Sequence, residues 1–412
     1  MRCGLLGQKL SHSYSPAIHS EFGEYSYDLF EVEPQDLAEF FNNGNFGGIN
    51  VTIPYKQDVM KFCNELSPSA QEIGSVNTIL RKPSGELFGD NTDAAGFRKM
   101  TEALGVPVKG KKVVIFGSGG SSLSVRYVMK SLGAGEIVVI TIEENTPETL
   151  KRHENAAILV NCTPVGMYPH VNASPCSLDY FPHLEGVLDL VYNPARTRLM
   201  TAARSRGIPA VGGLIMLVGQ AAVASEIFTG GTASISKEKI ASVVSKLRRD
   251  MENIILVGMP GSGKSTHGRI LSERLGKKFV DTDTEIEKAA SCTIPEIFAN
   301  EGEAGFRTKE TAIMEKFGKE SGLVIATGGG VVTRAENYEH LHQNGVIIFT
   351  ERAIDELPRE GRPLSQGDLT KMYEIRLPMY QHFADITVHV DGSPEQVSAK
   401  ILEVLEREIY NN

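Results

Sequence analysis

The stretch that most constrains this chain is NIILVGMPGSGKST at 253–266. A short apolar run rich in β-branched residues stops at a glycine turn and leads into a helix-compatible segment, the opening of a βα unit in a parallel sheet. Within it, GMPGSGKS at 258–265 fits G-x-x-x-x-G-K-[ST]. The spacing has a chemical reason. Glycines let successive backbone N–H groups turn inward around phosphates, Lys264 neutralises the outer ones, and the Ser265 hydroxyl ligates Mg²⁺. Gly261, Ser262, Gly263, Lys264, Ser265 and Thr266 are therefore the expected ATP-binding residues.

A second strand-then-glycine signal, KKVVIFGSGGSS, lies at 111–122. The 412 residues exceed one core, and two or three domains are the natural reading. Further strand-like runs follow at 136–142, 157–164 and 186–192, and 235–250 reads as an amphipathic helix with Ile240, Val243, Val244 and Leu247 on one side. The net charge of −9 offers no general attraction to nucleic acid or anionic lipid. Residues 207–225 carry no charge, but Pro209, Gly212, Gly213, Gly219 and Gln220 dilute them, so a buried segment is expected rather than a membrane span. The N-terminus lacks the apolar run of a signal peptide. Five scattered cysteines without C-x-x-C spacing argue against a zinc site or a disulfide framework and favour a reducing cytoplasm.

Beyond the P-loop, FVDTDTEIE at 279–287 places Asp281 and Asp283 two residues apart at a probable strand end. In extended chain, positions i and i+2 share a face, so both carboxylates are expected to point into the cleft. GFRTKE (305–310), ATGGGVV (326–332), GRPLS (361–365) and IRLPMY (375–380) follow in order. From 253 to about 408 the chain resembles shikimate kinase, a small P-loop fold related to nucleoside monophosphate kinases. The resemblance implies that Arg307 and Arg376 clamp the substrate carboxylate and that Asp283 orients the 3-hydroxyl and accepts its proton. It further implies that Asp281 joins Ser265 in holding Mg²⁺, that Gly328, Gly329 and Gly330 let backbone donors approach substrate, and that Arg362, on a lid, closes over the ATP phosphates. The segment from Thr350 to Arg362 is shorter than the lid of many family members, with Arg359 read as its only other late basic residue.

Residues 1–110 carry polar clusters at strand ends: SHSYSP (11–16), NVTIPYK (50–56), GSVNT (74–78) and GDNTDAAG (89–96). Short hydroxyls and amides suit a polyol pocket, since each donates and accepts. Lys56 and Asp93 are the titratable pair. With GSGG at 117–120, NCTPVGMYP at 161–169, YNP at 192–194 and the GG-x-x-ML-x-x-Q run ending at Gln220, the first 250 residues resemble shikimate dehydrogenase. That resemblance implies reduction of 3-dehydroshikimate, with Lys56 protonating the nascent alkoxide and Asp93 holding ammonium and substrate in line. It implies that Ser13, Ser15 and Tyr192 grip the carboxylate, that Thr52, Asn77 and Gln220 address the ring hydroxyls, and that Gly117, Ser118, Gly119, Gly120, Ser121 and Gly213 meet the cofactor. NADP is the family default. However, the strand at 136–142 leads to Glu143 and Glu144, with no arginine before Arg152, and only about fourteen residues separate it from the next strand. A helix–strand segment is missing there, and NAD is the alternative.

The fold class expected is α/β: an N-terminal α/β substrate domain (1–98, completed by helices near 214–250), a Rossmann-like dinucleotide domain (99–213), and a P-loop kinase domain with a parallel sheet (252–412). The function expected is bifunctional: ketone reduction to shikimate, then ATP-dependent phosphorylation to shikimate 3-phosphate. The alternative is an active kinase fused to a shikimate-binding module impaired in turnover. A third reading, quinate as dehydrogenase substrate, needs room for one more ring hydroxyl. The partners expected are small molecules, with neither nucleic acid nor membrane.

Overall fold

A computed structural model describes residues 1–10, 13–231, 234–357 and 369–410. The chain divides into two compact units, Met1–Asn193 with Thr197–Val244, and Pro194–Arg196 with Ser245–Asn412.

The first unit holds two sheets. Strands β1 (Arg2–Gly7), β2 (Ser26–Glu31), β3 (Gly48–Val51), β4 (Glu65–Leu66), β5 (Thr78–Arg81) and β6 (Leu87–Asp90) form a mixed sheet in the order β2-β1-β3-β5-β6-β4. β1 pairs parallel with β2 and β3, whereas β5 runs antiparallel to β3 and β6. β3 is buried along its whole length, with Ile49 and Val51 apolar and Asn50 a buried polar residue between them.

The second sheet, β7 (Lys112–Phe116), β8 (Glu136–Ile140), β9 (Ile158–Asn161), β10 (Gly186–Asp189) and β11 (Ala210–Gly212), is parallel throughout in the order β11-β10-β9-β7-β8. Val113, Ile115, Val125, Val128 and Met129 are fully buried between it and the helix Gly120–Ser131. Each such side chain contributes about 1.5–3 kcal/mol of burial. Only one short helix, Pro147–Arg152, connects β8 to β9, and β8 is left at the sheet edge. The charge-free stretch becomes β11 and the start of the helix Leu214–Phe228, with Met216, Val218, Ala221 and Ala222 buried. Among the described residues no helix is long and apolar enough to cross a membrane.

The second unit is built on β12 (Asn253–Val257), β13 (Lys278–Asp281), β14 (Leu323–Ala326), β15 (Gly345–Glu351) and β16 (Ile386–His389), all parallel in the order β13-β14-β12-β15-β16. β12 sits at the centre, so the P-loop leaves the middle of the sheet between its neighbours' carboxyl ends, where ligands of open α/β sheets bind. The helix Lys237–Met251 buries Ile240, Val243 and Leu247, while Val244 is half-buried.

Candidate active sites

In the first unit a cavity of about 230 Å³ opens at the ends of β1, β3 and β5. Its lining includes Ser13, Ser15, Thr52, Lys56, Asn77, Asp93, Tyr192 and Gln220, so sequence positions from 13 to 220 converge on one site. Lys56 Nζ lies 2.5 Å from Asp93 Oδ2, with side chains only 12% and 8% exposed. Asp93 is the first residue of the helix Asp93–Leu104, where the helix dipole favours its negative charge. Its other oxygen accepts from Asn77 Nδ2 at 2.9 Å, and Asn77 Oδ1 accepts from the Thr92 amide at 2.7 Å. The ammonium–carboxylate pair is thus fixed from both sides. Ser13 Oγ accepts from the Ser15 amide at 3.2 Å, and Gln220 Nε2 donates to the Leu217 carbonyl at 3.0 Å. Burial raises the Tyr192 phenol above its ordinary range, so it enters the site as a neutral donor.

The glycine turn between β7 and the helix Gly120–Ser131 borders this cavity through Ser121. Gly117 has φ +97°, which suits only glycine, and a Cβ there would come within 2.8 Å of Thr163. A Cβ on Gly120 would lie 3.4 Å from Lys56 Cδ, so the turn passes next to the proposed proton donor. Gly119 has open space around its Cβ position, as close approach of a pyrophosphate requires. Gly117, Ser118, Gly119 and Gly120 do not line the cavity itself. Gly213, expected with the cofactor, lines this cavity, because it precedes the helix carrying Met216, Leu217 and Gln220. Asn50, the first residue of the NVTIPYK cluster and given no role of its own in the sequence reading, also lines it. Its Nδ2 donates to Thr78 Oγ1 at 3.0 Å and its Oδ1 accepts from Tyr27 at 2.7 Å, partners that sequence does not reveal. His12 lies outside the described residues.

The second unit carries a cavity of about 540 Å³ lined by Gly261, Gly263, Lys264, Ser265, Thr266, Asp281, Asp283, Arg307 and Gly329. Lys264 Nζ donates to the Gly258 and Met259 carbonyls at 2.8 and 2.9 Å, and Gly263, at φ +91°, lets the helix Lys264–Leu275 begin there. Ser265 Oγ donates to Asp281 Oδ2 at 2.6 Å. A hydroxyl and a carboxylate in contact are hard oxygen donors suited to Mg²⁺, and the buried Asp283 Oδ1 beside them has no partner among the described residues. Magnesium and the ATP phosphates therefore fit the residues present.

Several expected residues sit differently from the simplest sequence reading. Asp281 and Asp283 do share the cavity, but not as alternate positions of a strand. A helix, Thr282–Ala290, starts directly after Asp281, whose carboxylate caps it by accepting from the Asp283 amide at 3.2 Å. Ser262 does not line the cavity; it is fully buried, its hydroxyl 3.1 Å from Thr350 Oγ1. Arg376 does not line it either: its Nη1 donates to the Gly329 carbonyl at 3.1 Å, and Tyr380 donates to the same oxygen at 2.5 Å. Arg307 is held by Glu310 at 2.7 Å and by Glu303 at 3.1 Å. Arg352, which was passed over between Thr350 and Arg362, lines the cavity. Arg359 and Arg362 fall outside the described residues.

The glycine triplet fits tightly. A Cβ on Gly328 would come within 2.9 Å of both Asp283 Oδ1 and Glu310 Oε1, on Gly329 within 2.6 Å of Pro260, and on Gly330 within 2.1 Å of Arg307. Burial first, and then the Asp281 carboxylate, raises Asp283 above the usual carboxylate range. Burial likewise raises Glu310, with Arg307 opposing.

Residues 5–79 match the model of the shikimate dehydrogenase substrate binding domain. A shikimate dehydrogenase (NADP(+)) of Clostridium beijerinckii is 35% identical over 245 residues, which cover 55% of this chain and 90% of that relative. The chain belongs to the shikimate dehydrogenase family. Residues 260–406 match the shikimate kinase model, so this dehydrogenase is joined to a kinase in a bifunctional shikimate-pathway enzyme, both oxidoreductase and phosphotransferase. Among solved structures, a chorismate mutase/shikimate 5-dehydrogenase fusion from Clostridium acetobutylicum aligns at 36% identity and TM-score 0.55, covering 60% of this chain and 96% of that one. A shikimate 5-dehydrogenase from Listeria monocytogenes, in complex with shikimate and NAD, aligns at 28% identity and TM-score 0.51, covering 59% and 96%. The alternative of an impaired dehydrogenase module finds no support.

Proposed function

We propose that the first unit reduces 3-dehydroshikimate to shikimate and that the second phosphorylates the shikimate 3-hydroxyl, with the residues above in the following roles. The nicotinamide supplies the hydride, and magnesium-bound ATP supplies the phosphoryl group. Lys56 gives its proton to the ketone oxygen as that oxygen gains charge, and Asp93 keeps the ammonium aimed at it. Ser13, Ser15 and Tyr192 donate to the substrate carboxylate; Thr52, Asn77 and Gln220 bind ring hydroxyls. In the kinase, Asp283 accepts the hydroxyl proton, and its raised pKa makes it a better base than an ordinary aspartate. Ser265 and Asp281 hold Mg²⁺, and Lys264 leaves its carbonyl partners for the phosphates. Arg307 binds the shikimate carboxylate with Arg376 beside it, and Arg362 covers the nucleotide.

The observation that carries the reading is the Lys56–Asp93 pair inside a cavity of hydroxyl and amide groups. NADP(H) is the cofactor named for the Clostridium relative, and NAD(H) is the alternative. We take the domains to be 1–98 with 214–250, 99–213, and 252–412, and the location to be the cytoplasm. The test follows 3-dehydroshikimate through both steps, reading loss of reduced nicotinamide and release of ADP. Absence of turnover with either nicotinamide cofactor would refute the dehydrogenase assignment.

A further inference from the structure

The carboxyl end of β8 lies against the glycine turn, since the Gly117 amide donates to the Ile140 carbonyl at 2.9 Å. In a dinucleotide fold this is where the adenosine ribose is met: the pyrophosphate sits at the helix N-terminus and the ribose at the end of the neighbouring strand. This chain places Thr141, Ile142, Glu143 and Glu144 there. The turn is closed on itself, with the Thr141 amide donating to Glu144 Oε2 at 3.1 Å and the Glu144 amide donating to Thr141 Oγ1 at 3.3 Å. It is also tied down on its far side, where Asn145 Nδ2 donates to the Pro175 carbonyl at 2.8 Å.

Glu143 is fully exposed and touches that ring only through the Thr141 hydroxyl; its own backbone amide first, and then that hydroxyl, hold its carboxyl below the ordinary range. Among the described residues neither glutamate is paired with a cation. Arg126 and Lys130 sit on the helix Gly120–Ser131, six and ten residues past its start, which is about 9 and 15 Å along the axis. Arg152 ends the helix Pro147–Arg152 and donates to Thr149 at 3.0 Å. Ile142, 77% exposed, is the one large apolar side chain of the turn and offers a flat contact for a base. A 2′-phosphate at this turn would face two carboxylates that no cation neutralises among the described residues, and the repulsion disfavours it.

We infer that Glu143 is a specificity-determining residue of the dehydrogenase site, accepting hydrogen bonds from the free 2′- and 3′-hydroxyls of the adenosine ribose, so that NAD(H) is bound more tightly than NADP(H). Glu144 shapes the turn and adds negative charge. This rests on the reading of the first unit as a nicotinamide-dependent dehydrogenase.

The test titrates the full chain with NADH and with NADPH, without ketone, and follows dihydronicotinamide fluorescence, which reports binding in the first unit without turnover. NADH is expected to bind at least tenfold tighter than NADPH. Added salt should narrow the gap by screening the repulsion, and Glu143→Ala should shrink it at least fivefold. Tighter binding of NADPH, a ratio unmoved in Glu143→Ala, or binding of neither cofactor would overturn the inference. The dehydrogenase reading fails on a different result, binding of a cofactor without oxidation when 3-dehydroshikimate is added.

Discussion

Replacing Lys56 by methionine keeps the apolar stem and removes the ammonium, which isolates its two duties. The first is chemical. A positioned general acid contributes about 10²–10⁴ in rate, or roughly 2.7–5.4 kcal/mol of barrier, so dehydrogenase kcat should fall by that factor. The second is structural. Asp93, 8% exposed, would keep only the Asn77 amide at 2.9 Å as a partner. Stranding one member of a fully buried pair costs about 3–5 kcal/mol, but this pair borders an open cavity and water reaches the carboxylate, so about 1–2 kcal/mol is the better figure. The melting transition of the first unit should drop by about 2–8 °C on that basis. Adding Asp93→Asn removes the stranded charge, so the double variant should melt above Lys56→Met while turning over no faster. Loss of reduced nicotinamide gives the first quantity and scanning calorimetry the second, with ATP-dependent phosphorylation as an internal control. A Lys56→Met enzyme retaining more than about a tenth of its turnover, or a double variant that regains it, would refute the assignment of Lys56 as proton donor.

Three further outcomes are expected. Gly329→Ala places a Cβ 2.6 Å from Pro260 while Tyr380 and Arg376 hold the carbonyl; kinase activity should fall at least tenfold with about 1–3 kcal/mol lost in stability, read by ADP release and calorimetry. Tyr192→Phe, which lacks one donor to a carboxylate, should raise KM for 3-dehydroshikimate by about ten- to a hundredfold with little change in kcat. Asp283 holds its proton more tightly folded than unfolded, so stability falls as pH rises from 3.8 through its raised folded value. Asp283→Asn should therefore raise the melting temperature of the second unit at pH 7 but not below the unfolded pKa, while phosphoryl transfer falls by about 10² or more.

The parts of each site that could be read in advance are those encoded by consecutive residues. The P-loop is one: Gly261 to Gly263 form the turn and Lys264 to Thr266 open the helix Lys264–Leu275, the turn-then-helix order that the motif implies. What escaped depended on where elements stop. Reading Asp281 and Asp283 as strand neighbours failed because the Asp281 side chain can cap a helix, and the cap replaces the strand period with the helical one. Arg352 went unnoticed because nothing local distinguishes it from a surface arginine; only the end of β15 brings it to the cavity. Ser262 lies in the motif, yet its hydroxyl turns to Thr350, a strand away in the fold and 88 residues away in the chain. The truncated β8–β9 connection was visible from spacing, since fourteen residues hold one helix and no additional strand.

The helix Leu214–Phe228 packs against Asp93–Leu104, with the Gly96 Cβ position only 2.5 Å from the Met216 carbonyl. Residues from either side of a long interposed segment thereby finish a single pocket. On a ribosome making about 5–20 residues per second, the stretch holding Lys56 is outside well before Gln220, by about 8–33 s. Throughout that delay the nascent first lobe lacks the Met216, Leu217 and Gln220 part of its pocket wall. Binding competence for the ketone acid is consequently a late event in the life of the chain, arriving only after the intervening nucleotide-binding sheet has been synthesised.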